Sequence, residues 1–208
     1  MGGSIRAMDA NEAALKVIAT RRSVRRFLPL EVPRQKLEAV VEAGRRAPSA
    51  HGAQPWRFVV LTDAGAKDKL ARHMSVAYRR HLTRRKDPEA VAKSERAYRR
   101  VASAPALVLL CLDRSRLRAG EGRKKGEWVM GVQGLAAAAE NMLLASHALG
   151  LGGCWRAAPL FCAASVRRAL GLPGRVEPQI LLELGYPAEK PRTRRLRRRD
   201  EVVSYNGC

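Results

Sequence analysis

Arg21-Arg22-Ser23-Val24-Arg25, followed about one helix later by Ala47-Pro48-Ser49-Ala50-His51-Gly52-Ala53-Gln54-Pro55-Trp56, is the stretch on which the reading of this chain turns. The first segment sets three guanidiniums and a hydroxyl within five residues. Each guanidinium is a planar fork of fixed N–H donors that matches phosphate oxygens. The second segment is rich in Pro, Ser and Gly and runs into an aromatic strand start. Irregular backbone of that kind can lie against a flat ring system and offer it main-chain amides. A run of charge on its own more often forms a solvated turn, so the rest of the chain has to decide.

Outward from these segments, residues 9–21 carry Ala13, Ala14, Val17 and Ile18 on one helical face, and a helix there delivers Arg21 to Arg25 at its exit. Pro33 suits a first helical position. The helix it opens buries Leu37, Val40 and Val41 and ends near Gly44. Residues 56–61 alternate and are rich in β-formers, which predicts a strand. Residues 64–82 predict a helix with Leu70, Met74, Ala77 and Tyr78 inward, and Asp87-Pro88-Glu89 starts another with Asp87 as its cap. Residues 106–112 form an apolar run short enough for a buried strand. A polar loop over 119–126 is expected to be mobile. After it, residues 127–149 form a long helix with apolar residues on most faces, which needs cover from the core or from a second subunit. A short helix over 163–170, a strand over 180–184 and a basic tail from Pro191 follow. No internal repeat or long linker divides the chain, so residues 1–208 are read as one domain.

Hydrophobic residues make up 46% of the 208 positions, enough for a core. The net charge of +21 would by itself point to nucleic acid, an anionic membrane surface or an anionic small molecule. Aromatic residues are only 5%, and no helix-turn-helix, zinc-finger or RNA-stacking motif is present, which disfavours nucleic acid. Abundant Arg also suits a solvated, ion-paired surface. Cys111, Cys154, Cys162 and Cys208 form no CxxC pair and have no close His partner, which speaks against a metal and for free, mostly buried thiols in a reducing cytoplasm. The N-terminus lacks the apolar core of a signal peptide. Residues 128–149 are broken by Gln133, Glu140, Asn141 and His147, which a membrane span rarely tolerates, so no membrane partner is expected.

The two opening segments, in their order and spacing, resemble the start of the FMN-dependent nitroreductase superfamily. The resemblance continues through Gly150-Leu151-Gly152-Gly153-Cys154-Trp155, Glu177-Pro178, Leu184-Gly185-Tyr186-Pro187, Pro191-Arg192-Thr193-Arg194 and Val202-Val203-Ser204-Tyr205-Asn206, nearly the whole chain. It implies an α+β, nitroreductase-like fold: a central, mostly antiparallel sheet flanked by helices, in an intertwined two-fold homodimer with FMN at the interface. On this resemblance Arg21, Arg22, Ser23 and Arg25 would hold the FMN phosphate, and Arg194 with its neighbour Arg192 would close over it. Pro48, Ser49 and Ala50 would come from the partner subunit and pack on the ring. Many relatives have Asn where this chain has Gly52, so His51 or a backbone amide has to replace that contact; the other reading of His51 is an exposed loop histidine. Main-chain amides of Ala157 and Ala158 would lie near the hydride-accepting nitrogen of the flavin. Trp155, Gln54, Pro55 and Trp56 read as packing.

No Ser-His-Asp, paired-carboxylate or HExxH arrangement stands out, and none is needed where a flavin carries the chemistry. The resemblance implies ping-pong hydride transfer from NADH or NADPH, or from a deazaflavin, to a small conjugated acceptor such as a nitro compound, a quinone or a dehydro-deazaflavin precursor. Residues 67–74, the Arg-rich stretch up to Val101 and Ala104-Pro105-Ala106-Leu107-Val108 look most like the nitroreductase-like half of bifunctional deazaflavin-coenzyme glutamate ligases; no ligase half is present, so no glutamyl ligation is expected. An anionic acceptor would be concentrated by Arg79, Arg80, Arg99 and Arg100. Two other classes stay open. An oxygen-using, flavin-destroying enzyme of the same superfamily is disfavoured by the lack of an extended lid sequence, and a cofactor-free nucleic-acid-binding protein by the ordered motifs.

Overall fold

The apolar run Ala106–Leu112 holds no polar position because both of its faces are covered. Leu107, Leu109 and Cys111 point into one core cluster, and Val108, Leu110 and Leu112 into another on the opposite side. The computed structural model describes residues 10–118, 124–191 and 193–207. In chain order it has helices α1 (Ala10–Thr20) and α2 (Arg34–Arg45), strand β1 (Trp56–Leu61), helices α3 (Ala64–Arg84) and α4 (Ala90–Ser103), and strand β2 (Ala106–Asp113). Then come the long helix α5 (Lys124–Ala148), strand β3 (Gly152–Arg156), helix α6 (Ala163–Leu170) and strand β4 (Val176–Gly185). The strands lie in the order β1-β2-β4-β3, with every neighbouring pair antiparallel.

One layer beneath the sheet is built by α2 and α5: Leu37, Val40, Leu135 and Met142 pack on Leu110, Leu182 and Leu184. The other is built by α3, α4 and α6, through Leu70, Met74, Val101 and Val166 against Leu109 and Leu181. Each of these leucines contributes about 1.5–3 kcal/mol by leaving water. Asp63 opens α3 by accepting the Ala66 N–H at 2.7 Å. Lys67 reaches across to the carbonyls of Ala104 and Pro105, just past the end of α4, at 2.9 and 3.1 Å. Helix α6 stops at Gly171, whose φ of 64° is the left-handed conformation that a side chain resists.

Strand β3 has no counterpart in the sequence reading; its Gly-Gly opening and five-residue length hide the alternation. Strand β4 begins at Val176 rather than at 180, because the ladder slips between Leu110 and Cys111 and the bulge there tolerates Pro178, which has no N–H to give. Helix α5 starts at Lys124, so the end of the expected loop is helical, and residues 119–123 lie outside the described residues. Asp87 sits ahead of α4 and accepts the Glu89 N–H at 2.9 Å, while the helix itself begins at Ala90. Tyr78, expected inward, is 40% exposed, and Ala14 and Ile18 of α1 face outward in the single chain.

Candidate functional site

Helix α1 ends where its arginines begin, and the side chains of the first two are anchored. Arg22 Nη1 donates to the carbonyls of Ala19 and Arg21, both at 2.7 Å, and so neutralises the negative end of the helix. Arg21 Nε pairs with Glu140 on α5 at 3.1 Å. The next residues run along the outer edge of β3: Ser23 bridges Gly153, and the Val24 N–H donates to the Gly153 carbonyl at 3.0 Å. Val24 is buried there. A side chain at Gly152 would put its Cβ 2.7 Å from Val24 Cβ. Gly152→Ala is therefore expected to push the Arg21 to Arg25 segment off the sheet and to lower the melting temperature; an unchanged melting curve and anion affinity would rule out this seating.

Arg21, Arg22, Ser23, Arg25 and Arg194 line one cleft of about 810 Å3, together with Glu189, Lys190 and Thr193. Arg192 lies outside the described residues. A carboxylate already lies in the cleft: Glu189 Oε1 accepts the backbone N–H groups of Arg25 at 2.7 Å and Arg26 at 3.2 Å. Beside it His147, 2.9 Å from the Thr20 hydroxyl, is held below the usual histidine range by burial and then by the charges of Arg21 and Arg22. The local field is thus positive, and two of the amides demonstrate an anion-binding geometry.

Pro48, Ser49 and Ala50 do not line this cleft within one chain. They lie on α5: Pro48 O is 3.5 Å, and Ser49 Cα 3.6 Å, from where a Gly134 Cβ would stand. Gly134 is six residues, about 9 Å along the helix, from the Glu140 that holds Arg21. The loop is internally braced, with the Gln54 N–H on Ser49 Oγ at 3.0 Å and His51 Nε2 3.7 Å from Glu127 Oε1. His51 is exposed, as one of its two readings had it, and its φ of 56° fixes a tight local turn. Trp56 stacks with Phe58, ring centroids 6.1 Å apart.

Ala157 and Ala158, both exposed, follow directly on β3. Trp155, read as core packing, is 37% exposed instead, because strand alternation sends Cys154 and Arg156 to the opposite face. On that face lies a pair the sequence reading did not single out. Arg156 donates through Nε and Nη2 to Glu183 Oε2, both at 3.0 Å, and the Glu183 side chain is 1% exposed. A lone charge inside Leu181-Leu182-Glu183-Leu184 was the available signal, since charged residues are almost never fully buried unless paired. Burial lifts the Glu183 carboxyl above the ordinary value of 4.5, against the pull of Arg156. The folded state then binds the proton more tightly than the unfolded one, so this group's contribution to stability falls as pH rises through the window above 4.5 and levels off beyond the raised value. Denaturant titrations across pH should show Glu183→Gln gaining on the parent chain over that window; parallel curves would contradict the burial argument.

Two of the thiols are held protonated by the same logic. Burial pushes Cys111 up to about 12 and Cys162 up to about 11. Among the described residues no group of His, Cys, Asp and Glu could hold a metal ion, and no helix is long and apolar enough to cross a membrane.

With this geometry in place, comparison with known proteins is decisive at the level of family: residues 18–186 match the Nitroreductase family. The chain belongs to the nitroreductase family. As such it is an oxidoreductase with an α+β fold of antiparallel sheet and flanking helices. It is 32% identical over 196 residues to a protein of Methanothermobacter thermautotrophicus named as an NADH dehydrogenase/NAD(P)H nitroreductase, covering 93% of this chain and 85% of that one. It is also 32% identical to an NADH dehydrogenase of Thermus thermophilus, covering 91% and 92%. Among solved structures, a nitroreductase of Desulfovibrio desulfuricans in complex with FMN superposes with a TM-score of 0.73 at 27% identity, covering 97% of this chain and 100% of the other.

Proposed function

We propose that this nitroreductase-family chain is an FMN-dependent oxidoreductase of the cytoplasm, taking electrons from NADH or NADPH and passing them to a small conjugated acceptor: a nitro compound, a quinone or a dehydro-deazaflavin precursor. The observation that carries the reading is the cleft at the exit of α1, where Arg21, Arg22, Arg25 and Arg194 converge on a space in which backbone amides already hold a carboxylate. That donor set fits a terminal phosphate. Bound there, FMN supplies the two-electron chemistry. Arg21 and Arg25 would bind its phosphate, Ser23 would add a hydroxyl, and Arg194 would close the cleft. From Gly153, opposite Ser23, the strand leads about 13 Å onward to Ala157, a reach that suits a ligand with a phosphate at one end and a ring at the other. Ala157 and Ala158 orient that ring by their amides.

Pro48, Ser49 and Ala50 of a second copy cover the ring and exclude water, which makes the working unit a two-fold homodimer. In support, Phe161 is 87% exposed and Leu15 67%, large apolar side chains that a second copy would cover. Arg79 and Arg80 have no carboxylate within ion-pair distance among the described residues, whereas Arg99 pairs with Glu95. Free cations there favour an anionic acceptor.

The test is spectroscopic. The purified protein reconstituted with FMN should be yellow with about one FMN per subunit, bleach under anaerobic NADH or NADPH, and recover colour on adding a quinone or nitroarene. A protein that retains no flavin after reconstitution overturns the reading. Efficiency toward an anionic acceptor should also fall steeply between about 0.01 and 0.15 M ionic strength, over which the Debye length shortens from roughly 30 to 8 Å. Equal salt curves for a neutral quinone would remove the basic surface from substrate capture.

A further inference from the structure

We propose that His147 couples the anion cleft at the exit of α1 to pH: an anion entering the cleft draws a proton from solvent onto the His147 ring, so the cleft holds its anion more tightly in mildly acid than in alkaline solution. The inference deepens the reading above and rests on it only for the anion being the phosphate of FMN. Two clefts adjoin at the exit of α1. His147 lines the smaller, of about 270 Å3, with Thr20, Gly150 and Pro187. Arg21 and Arg22 line this cleft and the larger anion cleft alike, so the ring and an entering anion share the same two guanidiniums.

The hydrogen bonds decide which ring nitrogen titrates. The Thr20 hydroxyl gives its one proton to the Lys16 carbonyl at 2.6 Å. Its oxygen is left to accept from His147 Nε2, 2.9 Å away, which puts the neutral ring's proton on Nε2 and leaves Nδ1 to take the second. The ring is half-buried at the edge of its cleft, so solvent reaches it. Burial opposes the second proton first, and the charges of Arg21 and Arg22 oppose it next. An anion beside those arginines offsets their field and attracts the imidazolium. The other charged groups around the ring are already engaged or cationic. Glu140, two turns back on α5, pairs with Arg21, and Lys36 of α2 donates to the Leu149 carbonyl at 2.8 Å with its Nζ over the Tyr186 ring. Lys16 stands one turn back on α1. In the anion cleft Glu189 is held by the amides of Arg25 and Arg26, beside Lys190. The negative charge that favours the protonated ring therefore comes from outside the chain. Proton and anion then strengthen each other by one and the same factor, about threefold or more for charges this close to a surface.

The test reads the ring itself. Proton NMR of the flavin-free, full-length protein follows the ring C–H signals of its four histidines from about pH 5 to about pH 9. His147→Gln assigns the signal, because its amide keeps a donor for Thr20 and does not titrate. Should that variant not fold, His51→Gln, His73→Gln and His81→Gln assign it by elimination. The titration is run with sodium chloride alone, with sodium sulfate, with FMN and with riboflavin, at matched ionic strength. Sulfate keeps its charge over this range, whereas the phosphate of FMN takes up a proton at about pH 6. Sulfate and FMN should each raise the His147 midpoint by about half a unit or more, while riboflavin leaves it in place. Sulfate affinity should weaken as pH rises through that midpoint in the parent and in Glu189→Gln, and stay flat in His147→Gln. A midpoint unmoved by bound sulfate or FMN, a rise with riboflavin equal to that with FMN, or a pH dependence that persists in His147→Gln overturns the coupling. No rise in a protein loaded with FMN removes the coupling and leaves the FMN reading standing. A rise with sulfate in a protein that retains no FMN does the reverse, and binding of neither ligand removes both.

Discussion

Arg156→Met is expected to lower the unfolding free energy by about 3–5 kcal/mol, the range for removing one partner of a buried ion pair. The guanidinium is one-fifth exposed and Glu183 is 1% exposed, so the carboxylate left behind would have neither water nor a cation in contact. Arg25 and Arg100 contribute only long-range attraction to it. Converting the pair to apolar residues should behave differently. Arg156→Met/Glu183→Leu fills the same volume with groups that need no hydration, and such replacements are often neutral or stabilising. Urea denaturation of the parent, both single variants and the double variant closes the cycle. A double variant no more stable than Arg156→Met would mean that the pair is structural, holding β3 on β4 for its own sake. Recovery in the double variant would mean that the fold does not need the pair, only that neither partner be left alone.

The sequence reading reached the layers of this protein, and it did so through local signals. Apolar periodicity marked α2, α3 and β1, and an unbroken apolar run marked β2, whose two faces are both covered. The clustering of Arg21, Arg22, Ser23 and Arg25 was visible because they are adjacent in sequence. Arg194 joins them in the cleft as the tail motif implied. What stayed hidden depends on contacts between distant segments. Strand β3 exists because β4 offers it a ladder and Ser23 covers its other edge, neither of which Gly152-Gly153-Cys154-Trp155-Arg156 announces. Glu140 and Glu189 meet the arginines across 119 and 164 residues. The exposure of Trp155 follows from strand parity, which could not be assigned before β3 was recognised. Pro48, Ser49 and Ala50 do not line that cleft within one chain, and the role proposed for them needs a second copy.

Arg21→Ala and Arg25→Ala are each expected to weaken FMN binding by about 1.5–3 kcal/mol, the range for a hydrogen bond to a charged group, or roughly tenfold to 150-fold. The two should differ in origin. Arg21 is held by Glu140, so its guanidinium is fixed before any ligand arrives and little side-chain freedom is lost on binding. Arg25 is exposed and free to swing, while its backbone N–H is already taken by Glu189, so its contribution has to come through the side chain. Glu189 adds a negative charge to the same cleft, and Glu189→Gln should therefore bind FMN more tightly than the parent does. Arg198 is the control: it lies in the exposed tail, paired with Asp200, and an exposed pair contributes little. Fluorescence titration of the apoproteins with FMN and with riboflavin decides the matter. The arginine variants should lose affinity for FMN while their weaker binding of riboflavin, which has no phosphate, stays as it was. Equal losses for the two ligands would place Arg21 and Arg25 against the ring or the ribityl chain, and a loss in Arg198→Ala as large as in Arg25→Ala would move the phosphate site into the tail.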